Sequence, residues 1–152
     1  MSEGAQISVT LEQTGDYEFR IRFDGSAYDD LITDEPPPLG GDHGPNPSRL
    51  LLAAVANCLS ASLLFALRKF KNQPGALRTT ATASTERDAD GRWRVPRAEV
   101  VLHLAEPAAQ YQNLDRILAQ FENFCVVTQS VRAGIAVAVR VCDAKGVTVH
   151  EV

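Results

Sequence analysis

The sequence predicts an α+β fold in which antiparallel sheets surround one long central helix. Residues 17–23 set Tyr17, Phe19, Ile21 and Phe23 at every second position against Glu18, Arg20 and Arg22, the period of a half-buried strand. Residues 50–67 are apolar apart from Asn57, Ser60 and Ser62, too long for a strand and at the short end of a bilayer span, so they are expected to form a buried central helix. The order of elements, three strands, a helix, a hairpin, helices and a strand, is that of an α+β domain with antiparallel sheet.

Taken in order, residues 7–11 alternate, Gly15-Asp16 turns the chain into the strand just described, and Asp24-Gly25 turns it again toward a third short strand near residues 27–33. Asp34-Glu35-Pro36-Pro37-Pro38-Leu39-Gly40-Gly41 is a loop. Asn46 is suited to cap a helix and Pro47 to open it, because the first helical N–H has no acceptor. That helix is expected to run to about Lys71, with Arg68, Lys69 and Lys71 complementing its dipole as a solvated helix end and Pro74-Gly75 closing it. Two long strands, 77–88 and 93–105, are joined by Asp88-Ala89-Asp90-Gly91-Arg92. Leu114, Ile117, Leu118 and Phe121 mark a helix over 108–122, a second runs from near Cys125 to Gly134, and residues 135–141 alternate as a closing strand before a turn at Ala144-Lys145-Gly146.

The chain has 152 residues, which makes residues 1–152 a single expected domain or one protomer of a small oligomer. With 45% apolar and 22% charged residues it has the composition of a globular protein. A net charge of −4 without a basic stripe argues against nucleic acid as a partner, and the N-terminal residues carry no signal-like apolar run. Three scattered cysteines suit a reducing compartment, so a cytoplasmic protein with no membrane partner is expected.

Cys58 shares a helix face with Val55, Ser62 and Phe65. From that placement alone it reads as a small core hydrophobe, and an apolar setting raises a thiol pKa. To act as a nucleophile it needs a cation from elsewhere, for which Arg20 and Arg22 on one strand face are the candidates; a solvated strand face explains them equally. Cys125 stands at the start of a short helix, where free N–H groups favour an anionic sulfur, whereas Cys142 beside Asp143 has no such support. His43, His103 and His150 lack ligand spacing, so no metal is expected; Gly40, Gly41 and Gly44 form no phosphate fingerprint, and Ser60 and Ser62 no nucleophile elbow.

The stretch from Asp34 through Gly40-Gly41 to Gly44-Pro45-Asn46-Pro47-Ser48-Arg49-Leu50-Leu51-Leu52-Ala53-Ala54-Val55-Ala56-Asn57-Cys58, with Phe124-Cys125-Val126-Val127-Thr128-Gln129-Ser130-Val131, resembles the OsmC/Ohr family of osmotically inducible and organic hydroperoxide resistance proteins. The resemblance implies an intertwined homodimer with a site at each subunit interface. It also implies a thiol-dependent peroxidase without a cofactor: Cys58 attacks an organic hydroperoxide, Cys125 resolves the sulfenic acid, and a dithiol reductant restores both. Val55, Ser62 and Phe65 are then expected to line the substrate groove. Two positions depart from the family pattern: Ser48 stands where the hydroperoxide-resistance branch usually has a glutamate, and Val126 where a proline usually follows the second cysteine. The alternative reading is a noncatalytic dimer that binds a small apolar ligand in the same groove.

Overall fold

Alternation over residues 9–23 builds the first sheet. In the computed structural model, which describes residues 4–134, 140–142 and 148–151, β1 (Val9–Gln13) pairs antiparallel with β2 (Phe19–Phe23), Val9 opposite Phe23. β2 also pairs antiparallel with β3 (Leu31–Thr33), Phe19 opposite Thr33. Ile21 and Thr33 face inward and are buried, while Arg20 and Arg22 lie on the opposite, exposed face, as a two-residue period requires.

Where β3 ends, the buried carboxylate of Asp34 accepts the backbone N–H groups of Glu35 (2.8 Å), Gly41 (3.0 Å) and His43 (3.2 Å), folding the proline-rich loop back on itself. Gly40 and Gly44 are required here, because a Cβ would collide with the Asp34 carboxylate at the first and the Ile32 carbonyl at the second. The loop delivers Asn46, whose Oδ1 accepts the Arg49 N–H at 3.0 Å and caps α1 (Pro47–Lys69) as its sequence predicts.

α1 ends two residues before the expected Lys71. Lys71 adopts φ 64° and Asn72 donates its backbone N–H to the Leu67 carbonyl at 3.0 Å, so the stop is made ahead of Pro74-Gly75. The helix is buried along one stripe, Val55, Leu59, Leu63 and Leu67, rather than all round; Leu51 and Phe65 are 42% and 69% exposed. By length and composition α1 would also suffice to cross a bilayer.

The two long strands expected at 77–88 and 93–105 are each divided. β4 (Arg78–Ala83) lies beside β7 (Ala98–His103), and β5 (Glu86–Arg87) pairs antiparallel with β6 (Trp93–Arg94) across the expected turn, where Gly91 has φ 76°. Extending the Glu86–Arg94 register sets Pro96 opposite Ser84, and proline has no N–H for the ladder.

The expected helix over 108–122 shortens to α2 (Leu114–Gln120), flanked by 3₁₀ turns at Ala108–Gln110 and Phe121–Phe124. Competing bonds explain this: Gln112 N–H donates to Asn72 Oδ1 at 2.7 Å, the Tyr111 hydroxyl accepts from Glu106 N–H at 3.1 Å, and Asn113 is left-handed at φ 55°. α3 (Val126–Ala133) follows, with Cys125 at its N-cap and Gly134 at its end, as expected. β8 (Arg140–Cys142) pairs antiparallel with β9 (Thr148–Glu151), a strand the sequence reading did not foresee; the first five residues of the expected closing strand and the turn at 144–146 lie outside the described residues.

The chain forms two compact units: residues to Ala56 with Thr80–Val101, and Asn57–Thr79 with the described residues from Leu102 onward. In the second unit the buried side chains are Leu59, Leu63, Leu67, Tyr111, Ile117, Phe121, Cys125 and Thr128.

Candidate active site

Two of the three cysteines meet inside the second unit. Cys58 occupies the middle of α1 and is half-buried; Cys125, at the N-cap of α3, is fully buried, and both are free thiols. Although far apart in sequence, the two side chains are close enough to shift each other's pKa. α3 supplies the rest of the setting. Its first N–H groups have no acceptor within the helix, and the amides of Val127 and Thr128 act to lower the Cys58 pKa, that of Thr128 doing the same at Cys125. Cys125 donates its S–H to the buried Thr128 hydroxyl at 3.0 Å, and Ser62, one turn beyond Cys58 on α1, acts to lower the pKa of the same sulfur.

These contacts divide the two thiols. Burial pushes Cys58 up from its ordinary pKa and its bond to Cys125 pushes the same way, against the Val127 and Thr128 amides. Burial pushes Cys125 up too, but bonds from Cys58, from the Thr128 hydroxyl and amide, and from Ser62 outweigh it, so Cys125 lies below its ordinary value.

Ser62 and Phe65 line a small cleft in the same unit with Ala66, Ile117, Phe121 and Phe124. Val55 lies in the first unit, 7% exposed on the buried stripe of α1. Arg20 and Arg22 also belong to the first unit, where Arg20 reaches Glu12 (3.3 Å) and Asp30 (3.8 Å) and Arg22 reaches Glu12 (3.7 Å) and Asp24 (3.7 Å). Ser48 is in the first turn of α1, and Val126 is 75% exposed. The side chain of Cys142 lies outside the described residues.

Thr128 was not singled out from sequence. The available signal was its place three residues after the helix-starting Cys125, where a side chain folds back on the N-cap. A second group also emerges only in three dimensions: Glu18, Asp34 and His43 bring ligand-type atoms within 4.8 Å of one another, the one set among the described residues able to hold a metal. Those atoms are engaged with protein, since His43 Nδ1 lies 2.7 Å from Glu18 and Asp34 accepts three backbone amides. Hydrogen bonds from Thr14 and His43 hold the Glu18 carboxyl below its ordinary pKa; at Asp34, burial raises it but the amides prevail and lower it.

Antiparallel sheet with a long helix is an architecture shared with solved structures. The OsmC-like protein of Mycoplasma pneumoniae matches with TM-score 0.69 at 14% identity, over 86% of this chain and 89% of that one. An organic hydroperoxide resistance protein from Elizabethkingia anophelis, with thiocyanate bound, gives 0.64 at 20% identity over 89% and 94%. The organic hydroperoxide resistance protein OhrB of Bacillus subtilis gives 0.63 at 19% over 86% and 93%. No match is found among curated proteins. The OsmC-like protein family model covers residues 40–140, from the loop that delivers α1 past both site cysteines, and the chain belongs to that family.

Proposed function

We propose that this protein is a thiol-dependent peroxidase that reduces organic hydroperoxides with Cys58 and Cys125, in defence against oxidative stress. The observation that carries the reading is a pair of free thiols, Cys58 in the middle of α1 and Cys125 at the start of α3, close enough to shift each other's pKa. A sulfenic acid formed at Cys58 has a second thiol in the same site with which to condense to a disulfide. The names of the Elizabethkingia and Bacillus structures support the substrate class.

In this reading residues 1–152 work as one OsmC-like domain in a homodimer within the cytoplasm, and a dithiol reductant returns the disulfide to thiols. Val55, Ser62 and Phe65 take the apolar part of the peroxide, and Arg20 or Arg22 orients it or supports the Cys58 thiolate. The raised Cys58 thiol and the apolar cleft favour one second reading, a noncatalytic dimer that binds a small apolar ligand.

Peroxide consumption separates the two. With cumene hydroperoxide and a dithiol, the wild type is expected to turn over and Cys58→Ser to be inactive. Cys125→Ser should stop after one oxidation with a sulfenic acid trapped at Cys58, and one of Arg20→Met and Arg22→Met should slow the first oxidation. Wild-type protein that keeps all its free thiols after treatment would favour the ligand-binding reading. Turnover of Cys125→Ser at the wild-type rate would remove the resolving role.

A further inference from the structure

We propose that Glu18, Asp34 and His43 form a zinc site whose open coordination position faces the cavity that all three residues line. The inference stands apart from the peroxidase reading, because all three belong to the first unit and no thiol takes part. Sheet register makes the site. Phe19 pairs with Thr33, so one step further along the two antiparallel strands sets Glu18 opposite Asp34. Carboxylates placed opposite each other repel, and Asp34 is buried, where water screens it little. Among the described residues His43 is the one ion-pair partner that either carboxylate has, and neither lysine nor arginine lines the cavity. A cation between the two strands removes that repulsion.

The donors are already gathered. His43 Nδ1 lies 2.7 Å from Glu18 Oε2 and 3.5 Å from Asp34 Oδ2, and the three ligand-type atoms fall within 4.8 Å of one another. Zinc bonds of about 2.0–2.2 Å at tetrahedral angles hold neighbouring donors about 3.4 Å apart. The His43–Asp34 separation therefore suits a bound ion, and Glu18 has only to draw back from Nδ1 by about 0.7 Å. Each ligand is held from behind. Thr14 donates its hydroxyl to Glu18 Oε1 at 2.8 Å, which leaves Oε2 for the ion, and the amides of Glu35, Gly41 and His43 fix Asp34. A Cβ on Gly41 would lie 2.8 Å from the imidazole ring, so the glycine is what lets the ring rest against the loop.

Binding needs no further reagent. A carboxylate only accepts, so the neutral imidazole carries its proton on Nδ1, toward Glu18. When zinc takes Nδ1 the proton goes to Nε2, and the charge of the ion meets that of the two carboxylates. One imidazole nitrogen with carboxylate oxygens suits zinc, whereas magnesium asks for an octahedron of oxygens. Three protein ligands leave a fourth position, as in zinc sites that hold water or a small molecule rather than only brace a fold. The cavity of about 480 Å³ beside it, with Tyr17 and Leu39 among its walls, gives that position room.

The test is a calorimetric titration of the full chain with zinc chloride, after metal removal by a chelator and reduction by a phosphine. Wild type is compared with His43→Ala, Glu18→Gln, Thr14→Val and the double variant Cys58→Ser/Cys125→Ser; Asp34 is left in place because it closes the loop. Wild type is expected to bind zinc, and excess magnesium chloride not to displace it. Loss of a ligand in His43→Ala or Glu18→Gln should weaken binding by about a hundredfold or more, and Thr14→Val, which removes only the support behind Glu18, by about tenfold. Should His43→Ala disturb the loop, the isosteric Glu18→Gln still decides the outcome. The double cysteine variant should bind as wild type does. Wild type that takes up no zinc at millimolar concentration, or Glu18→Gln that binds as tightly as wild type, overturns the proposal. Zinc that persists in His43→Ala and disappears in the double cysteine variant assigns the metal to the thiols and overturns it equally.

Discussion

Leu63 lies on the buried stripe of α1 in the unit that carries the thiol pair. It is 2% exposed, next to Ser62 and one turn and a residue beyond Cys58. Leu63→Ala removes three buried carbon atoms, which at about 0.8 kcal/mol each is about 2.4 kcal/mol of lost transfer energy. The cavity left by incomplete collapse adds up to about 2 kcal/mol more, so the expected loss is about 2.5–4.5 kcal/mol. For a chain of this length each kcal/mol lowers the melting temperature by about 2–4 °C, which predicts a drop of about 5–18 °C in a calorimetric or circular-dichroism melt. Leu63→Met keeps the volume and should cost less than about 1.5 kcal/mol. Loosening the stripe should also admit an alkylating agent to Cys125, which is fully buried in the native chain. A melt displaced by less than 2 °C, with Cys125 as protected as before, would refute the assignment of this stripe as the core that holds the site.

Two further predictions concern the rest of the molecule. The Asp34 carboxyl is held below its ordinary pKa by the amides that close the loop ahead of α1, so it stabilises the fold at pH values above the ordinary carboxylate range. That contribution is lost as pH falls through the lowered value, and Asp34→Asn should flatten the acid limb of the stability curve; an unchanged acid limb would show that the loop does not depend on the charge. Phe65, Phe124 and Val126 are 69%, 72% and 75% exposed on the unit that carries the thiols, apolar surface that the proposed dimer would cover. Light scattering is therefore expected to return about twice the 16.5 kDa chain mass, and Phe124→Glu to reduce it; a monomer at micromolar concentration would contradict the proposed dimer.

Local chemistry made much of the fold legible. Alternation set β2, Asn46-Pro47 set the start of α1, and Gly134 set the end of α3, since each rests on backbone preferences that neighbours in sequence satisfy. The misread boundaries share a cause of another kind. The helix expected over 108–122 lost its first six residues to bonds with Asn72 and Pro74, and the 93–105 strand broke where Pro96 met its partner strand. Asn72 and Pro74 lie tens of residues from the helix they shorten, and Pro96 acts only through the strand across its hairpin.

The sequence by itself determined that there would be two cysteines on helical segments, one in the middle of a long apolar helix and one at the start of a short one, and the family motifs that surround them. Only the tertiary structure decided that the two thiols come into one site, that Thr128 accepts the Cys125 S–H, and that the Cys58 pKa moves up while that of Cys125 moves down. It likewise drew Glu18, Asp34 and His43 together and turned Arg20 and Arg22 toward carboxylates of their own unit. Helix propensity, capping and alternation act between neighbouring residues and are therefore written in order along the chain. A thiol's proton affinity depends on which dipoles and hydroxyls lie within a few ångströms, and that is settled when distant segments pack.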